Sequence, residues 1–67
     1  MKIGDHLPNG AVLLAFRETD DGTTVLAMCG GTQPFATWRY HATPTPLCWA
    51  GHYFFDLESA LADFRSR

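Results

Sequence analysis

The thiols and imidazoles of this 67-residue chain, which suit nucleophilic catalysis and metal binding, are five: Cys29, Cys48, His6, His41 and His52. Nucleophilic catalysis needs a thiol or hydroxyl within hydrogen-bond reach of a base that a third group orients. Cys48 and His41 flank a proline-containing stretch that could bring them together across two strands. Packing accounts for both more simply, because a free cysteine behaves as a small buried hydrophobe. Cys48 and His52 are expected on one face of a single strand, about 13 Å apart and too far for a dyad. The cysteines form no C-x-x-C pair, and no two candidate ligands are spaced as a local chelate, whereas structural zinc prefers paired ligands. General acid/base work wants paired carboxylates in a cleft. Asp20 and Asp21 instead suit a hairpin tip, Asp56 a helix cap and Asp63 an exposed helix face. Gly30-Gly31 runs into a strand, so it is a turn and no phosphate cradle. The expectation is a chain that is no enzyme and holds no metal or cofactor.

The stronger signal is aromatic. Trp38, Arg39, Tyr40, His41, Trp49, His52 and Tyr53 fall on two stretches expected to be neighbouring strands. Trp, Tyr and Arg are the residue types enriched at binding hot spots. Most of these rings must build the core of so small a domain. Arg39, His41, Trp49 and His52 are the expected partner-binding residues, with Arg39 first, because a charged head seldom stays buried without a partner. Its stem can pack on a ring while the guanidinium meets a carboxylate or phosphate. The expected partner is another protein, and self-association as a homodimer stays open. A sheet that binds single-stranded nucleic acid by stacking is the alternative. The net charge of −2 counts against it, since phosphate neutralisation wants a basic surface.

Size and composition set the frame. Sixty-seven residues make one domain, residues 1–67, with an apolar share of 46% that is ordinary for a globular protein and argues against disorder. Five Phe, two Trp and two Tyr help so small a core, because each ring buries much area. No apolar run approaches a membrane span, and the start of the chain has no signal-peptide pattern. A cytoplasmic protein with two reduced thiols is expected.

The elements that must position these residues follow from period and punctuation. Leu7-Pro8-Asn9-Gly10 reads as a turn. Ala11 to Glu18 reads as a strand, with Val12, Leu14 and Phe16 on one side and Leu13, Ala15 and Arg17 on the other. Asp20-Asp21-Gly22 signals a hairpin, and Thr23 to Cys29 a second strand. Phe35 to His41 is the third, with Ala36, Trp38 and Tyr40 opposed to Phe35, Thr37, Arg39 and His41. Two prolines in residues 42–46 exclude a central strand there. Leu47 to Phe54 is the fourth, and Gly51 within it marks a bulge or close packing by a ring. Asp56 then caps a helix whose Leu57, Ala60, Leu61 and Phe64 form one stripe. The expected fold is α+β: a four-stranded antiparallel β-meander and one C-terminal helix packed on one face. A curled, barrel-like sheet capped by the helix is the alternative. In a meander the two cysteines lie about 10 Å apart, beyond disulfide reach.

At Trp49-Ala50-Gly51-His52-Tyr53-Phe54-Phe55-Asp56-Leu57-Glu58-Ser59-Ala60, and at Ile3-Gly4-Asp5-His6-Leu7-Pro8-Asn9-Gly10, the chain resembles small proteins of phages and mobile elements. Those end in a strand, a Tyr-Phe step and a Leu-Glu-x-Ala helix. The resemblance implies a small intracellular accessory protein, similar in size and architecture to anti-CRISPR and other anti-defence inhibitors. It assigns a role to no individual residue.

Overall fold

The computed structural model describes residues Met1 to Arg67. Four strands, β1 (Val12–Thr19), β2 (Gly22–Met28), β3 (Phe35–His41) and β4 (Leu47–Phe54), precede one helix, α1 (Leu57–Ser66). The strands form one antiparallel sheet in the order β1-β2-β3-β4. The expected meander and its single helix are therefore the fold.

Each element ends where its residues require. Leu7-Pro8-Asn9-Gly10 closes a turn, with the Gly10 amide donating to the Leu7 carbonyl at 2.8 Å. The first hairpin turns on Asp20-Asp21, and Gly22 already pairs with Thr19, one residue earlier than Asp21-Gly22 suggested. Gly22 has a φ of 122°, which a side chain would resist. Asp56 caps α1 from an extended conformation, accepting from the Ser59 amide and hydroxyl at 2.9 Å each. Those bonds hold its carboxyl below the usual range.

Each face of the sheet carries an apolar cluster. On one, α1 lays Ala60 and Phe64 over Leu26, with Leu14, Ala15, Phe35, Phe54 and Leu61 around them. Removing a phenylalanine side chain from water is worth about 2 kcal/mol, and a helix of ten residues needs such docking to persist. Leu57 contributes less than its stripe position implied and stays exposed. On the other face Leu13, Val25, Ala27, Ala36 and Trp38 gather under the N-terminal segment, which inserts Leu7 and Ala11.

Two irregularities overturn the simple alternation read along the strands. In β1, Leu13 pairs with Ala27 and Ala15 with Leu26, so Leu14 is an extra residue. Leu13 and Phe16 consequently share one face, while Leu14 and Ala15 serve the helix side. In β4 the bulge expected at Gly51 is present. Trp38 stands opposite both Ala50 and Gly51, between the pairs Thr37–His52 and Arg39–Trp49. Ala50 adopts a φ of 55° to make it. A Cβ on Gly51 would overlap the Trp38 indole and lie 3.1 Å from the Tyr53 hydroxyl. The ring and the bulge are thus one device. The extra residue also flips the faces of β4. Cys48 pairs with Tyr40 and packs with the Trp38 cluster, while His52 pairs with Thr37 under α1. Cys48 and His52 therefore do not share a face. Both cysteines are free thiols, at opposite ends of the sheet.

Candidate partner-binding surface

The register places four residues in one row across the helix face: Arg17 opposite Thr24, Thr24 opposite Arg39, and Arg39 opposite Trp49. Helix α1 ends beside this row. The Arg17 guanidinium donates to the Arg65 carbonyl at 3.1 Å and lies 5.5 Å from the centre of the Phe64 ring. A cation that satisfies a terminal carbonyl of a helix also complements its dipole. Arg67 reaches back to donate to the Thr37 hydroxyl at 3.1 Å and to the Ala50 carbonyl at 2.7 Å. Beyond the helix end the face is open, and the Trp49 side chain is half exposed there.

Arg39 is half-buried in this row. It donates to the Thr24 hydroxyl at 3.3 Å and to the Asp21 carbonyl at 2.6 Å. Its guanidinium is thus held in place, tying the hairpin tip to the sheet, but both acceptors are neutral. No arginine of the chain has a carboxylate within salt-bridge distance, since the one ion pair is His52–Asp63. Four of the five basic residues, Arg17, Arg39, Arg65 and Arg67, gather at this end of the helix face. The side chains can still meet an anion, because a guanidinium carries five donors.

His41 lies on the same face, opposite Leu47, with its Nδ1 3.0 Å from the Thr43 carbonyl. His52 is also on this face, but across the bulge and beside α1. Its Nδ1 stands 3.0 and 3.2 Å from the two Asp63 carboxylate oxygens. Arg39, His41 and Trp49 therefore adjoin, whereas His52 belongs to a polar tie between helix and sheet. In that tie the Thr37 hydroxyl also donates to Asp63. Burial raises the Asp63 carboxyl, but the bonds from Thr37 and His52 and the charges of His52 and Arg67 outweigh it, holding the group below the ordinary aspartate range.

Asp63 was expected on an exposed helix face, and the structure turns it toward the sheet. The signal was present: 60, 63, 64 and 67 have the i, i+3, i+4, i+7 spacing of one face. That set carries Asp63 and Arg67 in beside Ala60 and Phe64. Arg17 was expected on one face with Leu13 and Ala15; the bulge at Leu14 leaves it with Ala15 on the helix face, beside Arg39, and sends Leu13 to the other.

The cysteine chemistry finds no geometry. Cys48 points into the cluster under Trp38, and burial raises its thiol, which disfavours the thiolate. His41 is on the opposite face. No three His, Cys, Asp or Glu side chains come together to hold a metal ion. A depression of about 440 Å³ on the Tyr40 side is lined by Asp5, His6, Leu7, Glu18 and Thr23 among others. No helix is long and apolar enough to cross a membrane.

Comparison of the chain with protein-family models, with curated proteins and with solved structures returns no match. What the fold and the surface define is a class: a small α+β protein whose one helix leaves part of a sheet face, carrying arginines and a half-exposed tryptophan, uncovered.

Proposed function

We propose that this protein acts without catalysis, by occupying a surface of another protein through Arg39, Trp49 and His41. The observation that carries this reading is the row Arg17–Thr24–Arg39–Trp49 at the uncovered end of the helix face, with no arginine bridged to a carboxylate. A complementary partner offers carboxylates to Arg39 and an apolar socket to Trp49. Arginine and tryptophan are the anchors that hot spots favour, and electrostatic complementarity confers specificity and speed of encounter. An intracellular accessory or anti-defence inhibitor, the role that the resemblance implies, works in this way.

The gathering of four arginines at one end favours a second reading, single-stranded nucleic acid with a base stacked on Trp49. Glu18, Asp20 and Asp21 at the adjoining hairpin tip oppose it by repelling phosphates. Immobilised wild type and Arg39→Ala, each presented to host extract with and without nuclease treatment, separate the readings. A protein retained by the wild type and lost from Arg39→Ala supports the first. Capture that disappears with nuclease supports the second.

A further inference from the structure

The two edges of the sheet are treated differently. The N-terminal segment closes the start of β1: the Gly4 amide donates to the Leu13 carbonyl at 2.7 Å, the Leu13 amide to the Asp5 carbonyl at 2.8 Å, and His6 bridges to Val12. No strand pairs with the outer edge of β4, whose bulge residue Ala50 accepts from Arg67. Natural edges are usually blunted by charge, proline or cover, because unpaired N–H and C=O groups invite another strand. The residues of β4, Leu-Cys-Trp-Ala-Gly-His-Tyr-Phe, include no Lys, Arg, Asp, Glu or Pro. Five of the eight exposed large hydrophobic residues lie on β4 or just after it: Leu47, Trp49, Tyr53, Phe55 and Leu57, each 45–72% exposed.

We propose that a second copy of this chain covers this edge, its β4 pairing antiparallel with the first about a two-fold axis at the Ala50–Gly51 bulge. The bulge selects the register. Residues directly opposite in an antiparallel pair share a face. In β4, Leu47, Trp49, His52 and Phe54 serve the helix face, whereas Cys48 and Tyr53 serve the other. Pairing Leu47 with Phe54, Cys48 with Tyr53 and Trp49 with His52 of the other copy keeps every pair on one face. An unbulged strand could not adopt this register, since its paired residues would point to opposite faces. The arrangement is self-complementary, as a two-fold interface must be. Leu47 and Trp49 of one copy come beside the end of β4 in the other, where Phe55 and Leu57 are exposed. One contact thus accounts for four apolar side chains on which this chain itself places little. An uncharged strand also meets its copy without like-charge repulsion. Both helices fall on the same side of a joined eight-stranded sheet. Trp49 moves to the seam, while Arg39 and His41 remain on the open face, so the dimer competes with a partner's socket for Trp49 but leaves the Arg39 contact free; sedimentation tests the dimer and Arg39→Ala tests the partner contact.

Sedimentation equilibrium of the purified chain tests the dimer. It should give about twice the 7.4 kDa chain mass at about 100 µM. Leu47→Glu, at an exposed position, should keep the wild-type circular dichroism and raise the dimer dissociation constant about tenfold or more. Register is read by disulfide formation in a Cys29→Ser, Cys48→Ala background. Trp49→Cys and His52→Cys chains should cross-link when mixed, and neither should cross-link alone. A wild type that is monomeric at that concentration, or a Leu47→Glu variant that dimerises as tightly, overturns the proposal. So does a mixture that cross-links no better than either variant alone.

Discussion

At the scale of single residues, Gly51 shows how one missing side chain governs a strand. Its Cα faces the Trp38 indole so closely that a methyl group has no room without moving the ring. Trp38 is 5% exposed and meets Tyr53 edge-on, with ring centres 5.9 Å apart, so it cannot swing clear cheaply. Gly51→Ala should therefore destabilise the fold by about 1–3 kcal/mol, the usual cost of overpacking a filled core. A thermal melt checks it, and an unchanged midpoint would mean that the ring yields. The sequence made this position legible, because a glycine inside an aromatic strand has few other uses. It left the consequence hidden. An inserted residue reverses every later side chain, so Cys48 and His52, read as sharing a face, stand on opposite ones. The bulge at Leu14 hid the faces of β1 in the same way, and no turn residue marks that position.

At the scale of elements, the helix is held by an apolar stripe and a polar tie. Phe64 is buried at the centre of the stripe, and Phe64→Ala should cost about 3–5 kcal/mol, much of the stability of so small a domain. A variant melting within a couple of degrees of the wild type would contradict that docking. The polar tie makes the helix sensitive to acid. The carboxyl of Asp63 titrates lower in the folded chain than its unfolded value of about 3.9. It therefore contributes stability at pH values above the unfolded one, and that contribution is lost as the pH falls through the folded one. Asp63→Asn should be less stable at neutral pH and lose less on acidification below about pH 4. Asp56 is shifted in the same direction, so some acid sensitivity should remain. Equal acid slopes in wild type and variant would remove Asp63 from the account. Asp56 was legible as a cap because it stands directly before the apolar stripe. Asp63 was not, because a carboxylate among apolar stripe residues reads as solvated until its partners Thr37, His52 and Arg67 arrive from distant parts of the chain.

At the scale of the whole molecule, order and orientation of the elements followed from turn chemistry: Asp-Gly after the first strand, Gly-Gly after the second, and paired prolines after the third. The candidate surface was legible in part. Arg39, His41 and Trp49 do come together, because alternation held along β3 and the register of β3 with β4 brought Trp49 alongside. That Arg39 would be anchored on Thr24 and the Asp21 carbonyl depended on a hairpin geometry that no local pattern encodes. The anchoring gives Arg39 two roles, and one pair of measurements on a single variant separates them. For Arg39→Ala, a binding titration against the captured partner and a thermal melt should be made on the same preparation. Loss of its two hydrogen bonds to neutral acceptors should cost about 1–3 kcal/mol of stability. Binding should weaken by on the order of 2 kcal/mol, as hot-spot truncations do. A destabilised variant that binds with wild-type affinity would contradict the central claim, leaving Arg39 as a tether of the hairpin and nothing more.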